Sequence, residues 1–389
     1  MISTLRHQAL VISGLDLWNY GPRWEVFSRF ASFGYDVNYV SPYGKDVNSG
    51  EISKHQVVVP LFKRMEGRTF VWFFFMILSF KKALQIAKKN KPDVVYGYEI
   101  FGALPGYVLS KLLRVPLILR FQGTILYPHL GKKSILPFFV HVVAFKIPAD
   151  LIVITNDGTR GDLVAKYLRV PERRIRFWFN GLSNMSRQTI DSSLLKNKLA
   201  LPSNAQIVMS ICRLEDWKGV HRLIEAAPDV VEKRKGVFFV IVGDGSEKER
   251  LKDLANRLKV ADHVIFADHV SHTDIFSYLS IADVYVTLQD LSCLSASLMD
   301  AMICGRCIVA LNTGDTQKVL KNQKNGVLLE FSQLKLLPVV LLELLENDAY
   351  RVELGRKAKE YALRNFWTWD ERANKEIRLV EELLVRANR

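Results

Sequence analysis

Short apolar runs alternate along the chain with longer segments whose apolar residues recur at helical spacing. In the first half Leu10–Ile12, Val37–Val40, Val94–Tyr96, Leu117–Phe121 and Leu151–Ile154 read as buried strands. Trp24–Phe33, Phe70–Lys89, Ala103–Leu113 and Gly158–Leu168 read as the helices between them. The pattern then restarts, with strands at Ile207–Ile211, Phe238–Val242, Val264–Phe266, Val284–Leu288 and Ile308–Leu311, each followed by a helix candidate. Two βα series, each near domain size, predict an α/β protein with two doubly wound parallel sheets. The polar stretch Asn184–Asn204 reads as the junction with one short helix, and Leu336–Arg389 is helical in pattern throughout.

Composition narrows the picture. The chain has 389 residues, 49% of them hydrophobic and 24% charged, which is globular usage and excludes a disordered or low-complexity protein. Its four cysteines, Cys212, Cys293, Cys304 and Cys307, all lie in the second half and are too few for a disulfide framework, so a reducing compartment is expected. The N-terminus passes directly into a strand, which predicts no signal peptide. The most apolar run, Phe70–Phe80, has 11 residues, against about 20 for a spanning helix. No segment is therefore expected to cross a membrane.

The net charge of +14 is unevenly spread. Residues 1–186 hold 25 basic and 12 acidic side chains, a balance of +13, whereas residues 187–389 hold 29 and 28, a balance of +1. Only the first half has a sequence-level reason to seek an anionic partner.

Three strand exits in the second half carry candidate chemistry. After Ile211 comes Arg213-Leu-Glu-Asp-Trp-Lys218-Gly219 and then a helix. Arg and Lys ahead of a helix N-terminus suit a diphosphate, although such a loop is also compatible with simple solvation. The next strand exits through Gly243-Asp244-Gly245, which permits close backbone approach to a ligand or marks a tight turn. The third exit runs from Asp290 through Ser292, Cys293, Leu294 and Ser295 into a serine-capped helix carrying Asp300. Asp300 suits a ribose diol, or by itself reads as a surface helical acid. Cys304-Gly305-Arg306-Cys307 is formally C-x-x-C, but one pair cannot complete a four-ligand zinc site.

In order and spacing these elements resemble the retaining glycosyltransferases of family 4, through Cys212-Arg213-Leu214, Lys218-Gly219, Ile241–Gly245, Ala282-Asp283-Val284, Asp300-Ala301-Met302, Asn325-Gly326, Leu354-Gly355 and Phe366 to Trp369. The resemblance continues in the first half at Lys91–Val95, Pro116–Thr124 and Asn180-Gly181. It implies a GT-B fold, two Rossmann-like domains facing across a cleft: an acceptor-side domain at 1–186 joined by a C-terminal helix at 368–389, and a nucleotide-sugar donor domain at 187–367. It implies a hexosyltransferase-type enzyme, retaining and metal-independent, with no cofactor beyond the nucleoside-diphosphate sugar. Arg213 and Lys218 match the cations that offset charge on the leaving diphosphate. Gly21 matches the position where backbone approaches the donor phosphates, and Asp300 the second carboxylate of an E-x7-E motif whose first position is Ser292. Gly243, Gly245, Cys293, Leu294 and Ser295 complete the donor side. The histidine usual before the Gly-Thr turn is replaced by Gln122, an amide that is neither acid nor base near neutrality.

Ser292 and Gln122 also motivate a second reading, a catalytically silent protein of this fold that binds a glycan, lipid or partner enzyme. An epimerase or phosphorylase on the same scaffold is a third. Lysines and arginines flank Phe70–Phe80, so the segment reads either as core with a basic end or as an interfacial element on anionic lipid. A glycan or lipid-linked acceptor at a membrane surface would account for the basic half. No nucleic-acid motif accompanies the charge. The expected location is cytoplasmic, or peripheral on the inner face of the cell membrane, in glycolipid, polysaccharide or glycan assembly.

Overall fold

The computed structural model describes residues 6–17, 22–42, 46–57, 69–182, 191–271, 274–291 and 293–387. Gly21, Ser292, residues 183–190 of the expected junction, and Lys63, Arg64 and Arg68 lie outside them. In chain order the first elements are β1 (His7–Ser13), α1 (Pro22–Ser32), β2 (Tyr35–Ser41), β3 (Val47–Ser49), β4 (Ile52–Gln56), α2 (Thr69–Lys89), β5 (Val94–Tyr98), α3 (Glu99–Leu113), β6 (Leu117–Phe121), α4 (Phe139–Lys146), β7 (Leu151–Thr155), α5 (Gly161–Tyr167) and β8 (Ile175–Trp178). They continue with α6 (Ser192–Lys198), β9 (Gln206–Ile211), α7 (Val220–Lys233), β10 (Val237–Val242), α8 (Lys248–Arg257), β11 (Val264–Phe266), α9 (Ile275–Ile281), β12 (Val284–Thr287), α10 (Ala296–Ile303), β13 (Cys307–Leu311), α11 (Thr316–Val319), β14 (Val327–Leu329), α12 (Leu337–Glu346), α13 (Asp348–Asn365) and α14 (Trp369–Ala387).

The chain divides into two compact units, one comprising 1–156, 160–181 and 368–389, the other 157–159 and 182–367. The change of unit thus falls after Gly181 rather than after residue 186, and residues 157–159 belong to the second unit. The reason is local: the Leu294 N–H donates to the Asp157 carbonyl (2.9 Å), and the Leu182 N–H to the Trp367 carbonyl (2.8 Å).

In the first unit the strand order is β3-β4-β2-β1-β5-β6-β7-β8, parallel throughout except for β3 against β4. Period-two alternation assigns β1 to two cores. Leu10 and Ile12 pack with Phe75 of α2 and Ala103 of α3, while Ala9 and Val11 pack with Phe27 and Phe30 of α1 and with Ile377 and Val380 of α14. Both faces are therefore covered, which is why β5, β6 and β7 are uninterrupted buried runs.

The C-terminal helix α14 completes one of these cores and carries a charge cluster. Arg120 of β6 lies 2.6 Å from Glu376, which also pairs with Arg372 at 2.9 Å, and all three are buried. Arg372 lies 4.4 Å from the centre of the Trp178 ring and donates to the Phe179 carbonyl (3.2 Å).

The second unit contains a fully parallel sheet, β11-β10-β9-β12-β13-β14. Its core joins Val208, Phe239, Ile241, Val286 and Val309 to Leu223, Ile224 and Val230 of α7 and Leu341 and Leu344 of α12. In an open parallel sheet ligands bind outside the carboxyl ends of the strands where the order reverses. Here that reversal is at β9, between β10 and β12.

Candidate active site

The β9 exit is built by glycines. A Cβ at 243 would overlap the Cys212 carbonyl oxygen, and one at 245 the Leu214 carbonyl oxygen; Gly243 also has φ +141°. The close approach seen at both glycines is to the chain's own backbone. It allows the Leu214 N–H to reach the Asp244 carbonyl (2.9 Å) and the Glu247 N–H to reach that of Leu214 (2.9 Å). The β9 and β10 exits are thereby locked together, with Arg213 carried on the joint.

Arg213 is exposed and, among the described residues, makes no ion pair. Lys218 follows in a single turn ended by Gly219 in the left-handed region, where α7 begins. Its ammonium donates to Gln289 Oε1 (2.6 Å) and lies 4.0 Å from the centre of the Trp217 ring. Gln289, itself buried, donates onward to Thr287 Oγ1 (3.0 Å). Burial lowers the Lys218 pKa to about 8, with the Arg213 charge acting in the same direction. Asp157 acts on Lys218 in the opposite sense, but among the described residues neither cation forms an ion pair, and two such cations suit an anion.

At the β12 exit Ser295 caps α10, its hydroxyl accepting from the Leu298 N–H (3.2 Å) and lying 3.1 Å from Ser297 Oγ, which accepts from the Tyr285 hydroxyl (3.0 Å). Cys293 and Leu294 are buried, and the Leu294 amide is engaged by Asp157. Burial pushes the Cys293 thiol up, which makes it a packing group rather than a nucleophile. Asp300 is 3% exposed, which corrects its reading as a surface acid. Burial raises the Cys304 and Cys307 thiols to about 12. The C-x-x-C pair thus lacks the depressed pKa of a redox motif, and among the described residues no group of His, Cys, Asp and Glu is arranged to hold a metal ion.

In the first unit the carboxyl ends of β1, β5 and β6 converge. Gln122 donates through its amide to the Tyr98 hydroxyl, and its backbone N–H donates to Glu99 Oε1 (2.8 Å). Both ends of Gln122 therefore tie the β6 exit to the β5 exit. Glu99 holds φ +58°, a conformation a glutamate rarely adopts and that persists only where its surroundings impose it. Beyond β1, Asp16 pairs with the buried Lys54, while Arg23 Nε donates to the Asp16 carbonyl (2.6 Å). Sequence reading missed Glu99, Asp16, Lys54 and Gln289. The first two stand just past strand ends, a signal that position alone offered; Lys54 and Gln289 emerge only from burial.

Two Rossmann-like parallel-sheet units, the second with a cationic strand-exit site, define a glycosyltransferase of the GT-B fold. The chain carries a domain of the glycosyl transferases group 1 family at residues 191–361 and one of glycosyltransferase family 4 at residues 24–183. It is 23% identical over 354 residues to the alpha-monoglucosyldiacylglycerol synthase of Streptococcus pneumoniae, covering 86% of this chain and 76% of that one. Among solved structures it is similar to the sucrose-phosphate synthase of Thermosynechococcus elongatus, with a TM-score of 0.80 and 16% identity over 98% of this chain and all of that one. Anabaena HepE in complex with UDP and glucose matches with a TM-score of 0.76 and 17% identity, over 97% of this chain and all of that one.

Proposed function

We propose that the chain moves a hexose from a nucleoside-diphosphate sugar to the hydroxyl of a lipid-linked or glycan acceptor, with retention at the anomeric carbon. The observation that carries this reading is the pair Arg213 and Lys218 at the β9 exit, two cations that form no ion pair among the described residues and stand ahead of α7. As the bond from the anomeric carbon to the phosphate oxygen breaks, its electron pair passes to that oxygen, and Arg213 and Lys218 offset the charge. The acceptor oxygen bonds to the anomeric carbon on the same face, and its proton passes to the departing phosphate oxygen. No side-chain base is required, so Gln122 acts by holding the acceptor-side strand exits together. Asp300 accepts from the ribose diol, with the α10 N-terminus completing the donor side of the second unit. These groups supply the charge without a metal or another cofactor.

The acceptor side of this proposal is peripheral to a membrane. Phe73, Phe74 and Ile77 of α2 and Leu104, Val108 and Leu112 of α3 are exposed on one unit that also carries the excess positive charge. Among the described residues no helix is long and apolar enough to cross a bilayer. An exposed apolar face with lysines beside it suits attachment to the surface of an anionic bilayer, on its cytoplasmic side.

A thermal-shift screen with UDP, GDP, ADP and their sugars tests the donor site, because ligand at 100 times its Kd stabilises by about 2.7 kcal/mol. The reading expects a shift with one nucleotide, its loss in Arg213→Ala, and sugar transfer that survives EDTA. Absence of a shift with every nucleotide overturns it.

A further inference from the structure

The first unit contains a cavity of about 270 Å³ whose walls are apolar. It is framed by Trp72 and Met76 of α2, Phe101 and Leu104 of α3, and Phe139 and Val143 of α4. Its rim is open, because Leu104, Phe139 and Val143 are 44%, 63% and 46% exposed. A pocket with no polar group to orient a ligand cannot select a sugar or a nucleotide, whose hydroxyls and phosphates would lose water without a replacement partner. It can take a hydrocarbon chain.

Its inner wall leads to the acceptor edge of the sheet. Trp72 and Phe101 stack at 3.9 Å with their planes 6° apart, and they lie over Gly14, the residue just past β1. A Cβ at position 14 would be 2.9 Å from the Trp72 ring and 3.4 Å from that of Phe101, so the absence of a side chain there allows this aromatic pair to sit against the carboxyl end of β1. Ile100 and Phe101, which also line the cavity, directly follow the strained Glu99 that anchors Gln122. The apolar chamber and the polar strand exits are thus adjacent through covalent neighbours.

We infer that the cavity holds the hydrocarbon tail of a lipid acceptor, whose head lies at the β1, β5 and β6 exits. This inference rests on the transferase reading of the same unit and narrows its acceptor class.

The test is titration of the full chain with hexyl, octyl, decyl, dodecyl and tetradecyl phosphate as monomers, without bilayers. Each methylene transferred from water should lower Kd about fourfold. Levelling is expected near nine or ten carbons, since 270 Å³ holds about nine groups of water size, ~30 Å³ each. Filling the rim with Val143→Trp should move the levelling to a shorter chain, whereas opening it with Phe73→Ala should move it to a longer one. Opposite displacements by two variants of an exposed rim are not a consequence of misfolding. A Kd independent of chain length, or the same levelling point in all three proteins, overturns the assignment. Nucleotide shifts measured on the same samples separate the two readings: if they are present while the chain-length series fails, only the cavity assignment falls. If no nucleotide shifts the melting temperature while the series holds, the cavity is a lipid site and its acceptor role falls with the transferase reading.

Discussion

The Lys218 ammonium donates to Gln289 Oε1 at 2.6 Å, so a half-buried cation is held by a buried neutral amide. An amide orients the ammonium but supplies no opposite charge, and the cost of removing it from water outweighs the attraction of Asp157. That is the physical source of its lowered pKa, about 8. Under the proposed function, an arriving diphosphate would supply the missing charge.

This arrangement makes donor affinity pH-dependent above neutrality. Binding an anion favours the protonated ammonium, so above pH 8 binding must take up a proton. UDP affinity is expected to fall as pH rises through about 8, approaching tenfold per unit. Lys218→Arg should retain binding at pH 9.5, and Lys218→Gln should bind weakly at all pH values with a flat profile. Calorimetric titration from pH 7 to 9.5 provides the check; an unchanged Kd in the parent protein contradicts the role given to Lys218.

Stability of the first unit should depend on Glu376. Burial acts to raise its pKa, but the Arg120 and Arg372 guanidiniums outweigh burial and hold the carboxyl below the ordinary range. Glu376→Gln leaves two buried guanidiniums without a counter-charge and should cost about 3–5 kcal/mol. Because the folded pKa is lowered, the stabilisation is fully present above the unfolded carboxylate pKa, ~4.3, and is lost as pH falls through the folded value. Denaturant titrations of parent and variant at pH 7 and pH 3 should therefore show a gap that narrows in acid.

Membrane attachment should depend on side chains outside the cavity. Phe74 and Ile77 are 53% and 40% exposed on α2 and do not line it. Phe74→Ser with Ile77→Ser removes two apolar contacts while leaving the buried Val71 and Phe75 in place. Pelleting with anionic vesicles is expected to drop by roughly tenfold or more, since each large apolar side chain contributes about 1.5–3 kcal/mol when fully buried. Equal pelleting of parent and variant, or equal binding to neutral vesicles, contradicts this surface.

Several parts of this molecule were legible in the residue pattern. The strands at Leu117–Phe121 and Ile308–Leu311 were legible because a strand covered on both faces is apolar at nearly every position, Arg120 being the exception that Glu376 pairs. The serine cap of α10 was legible because a cap is a local hydrogen bond. Strands β3, β4 and β8 were not, because they are three to five residues long, lie toward the sheet edges and are interrupted by polar residues that weaken the apolar signal.

Sequence by itself determined the two βα series, the loops carrying Arg213 and Lys218, and the uneven charge, since each follows from residue type and spacing along the chain. Tertiary structure alone decided that Asp300 is buried, that Gly243 and Gly245 meet backbone, that Gln122 is tied to Tyr98 and Glu99, and that α2, α3 and α4 enclose an apolar cavity. The physical reason is the same in each case. A hydrogen-bond partner, a desolvated charge and a void are properties of what comes into contact through space, and those neighbours are set by strand order and helix packing rather than by nearness in the chain.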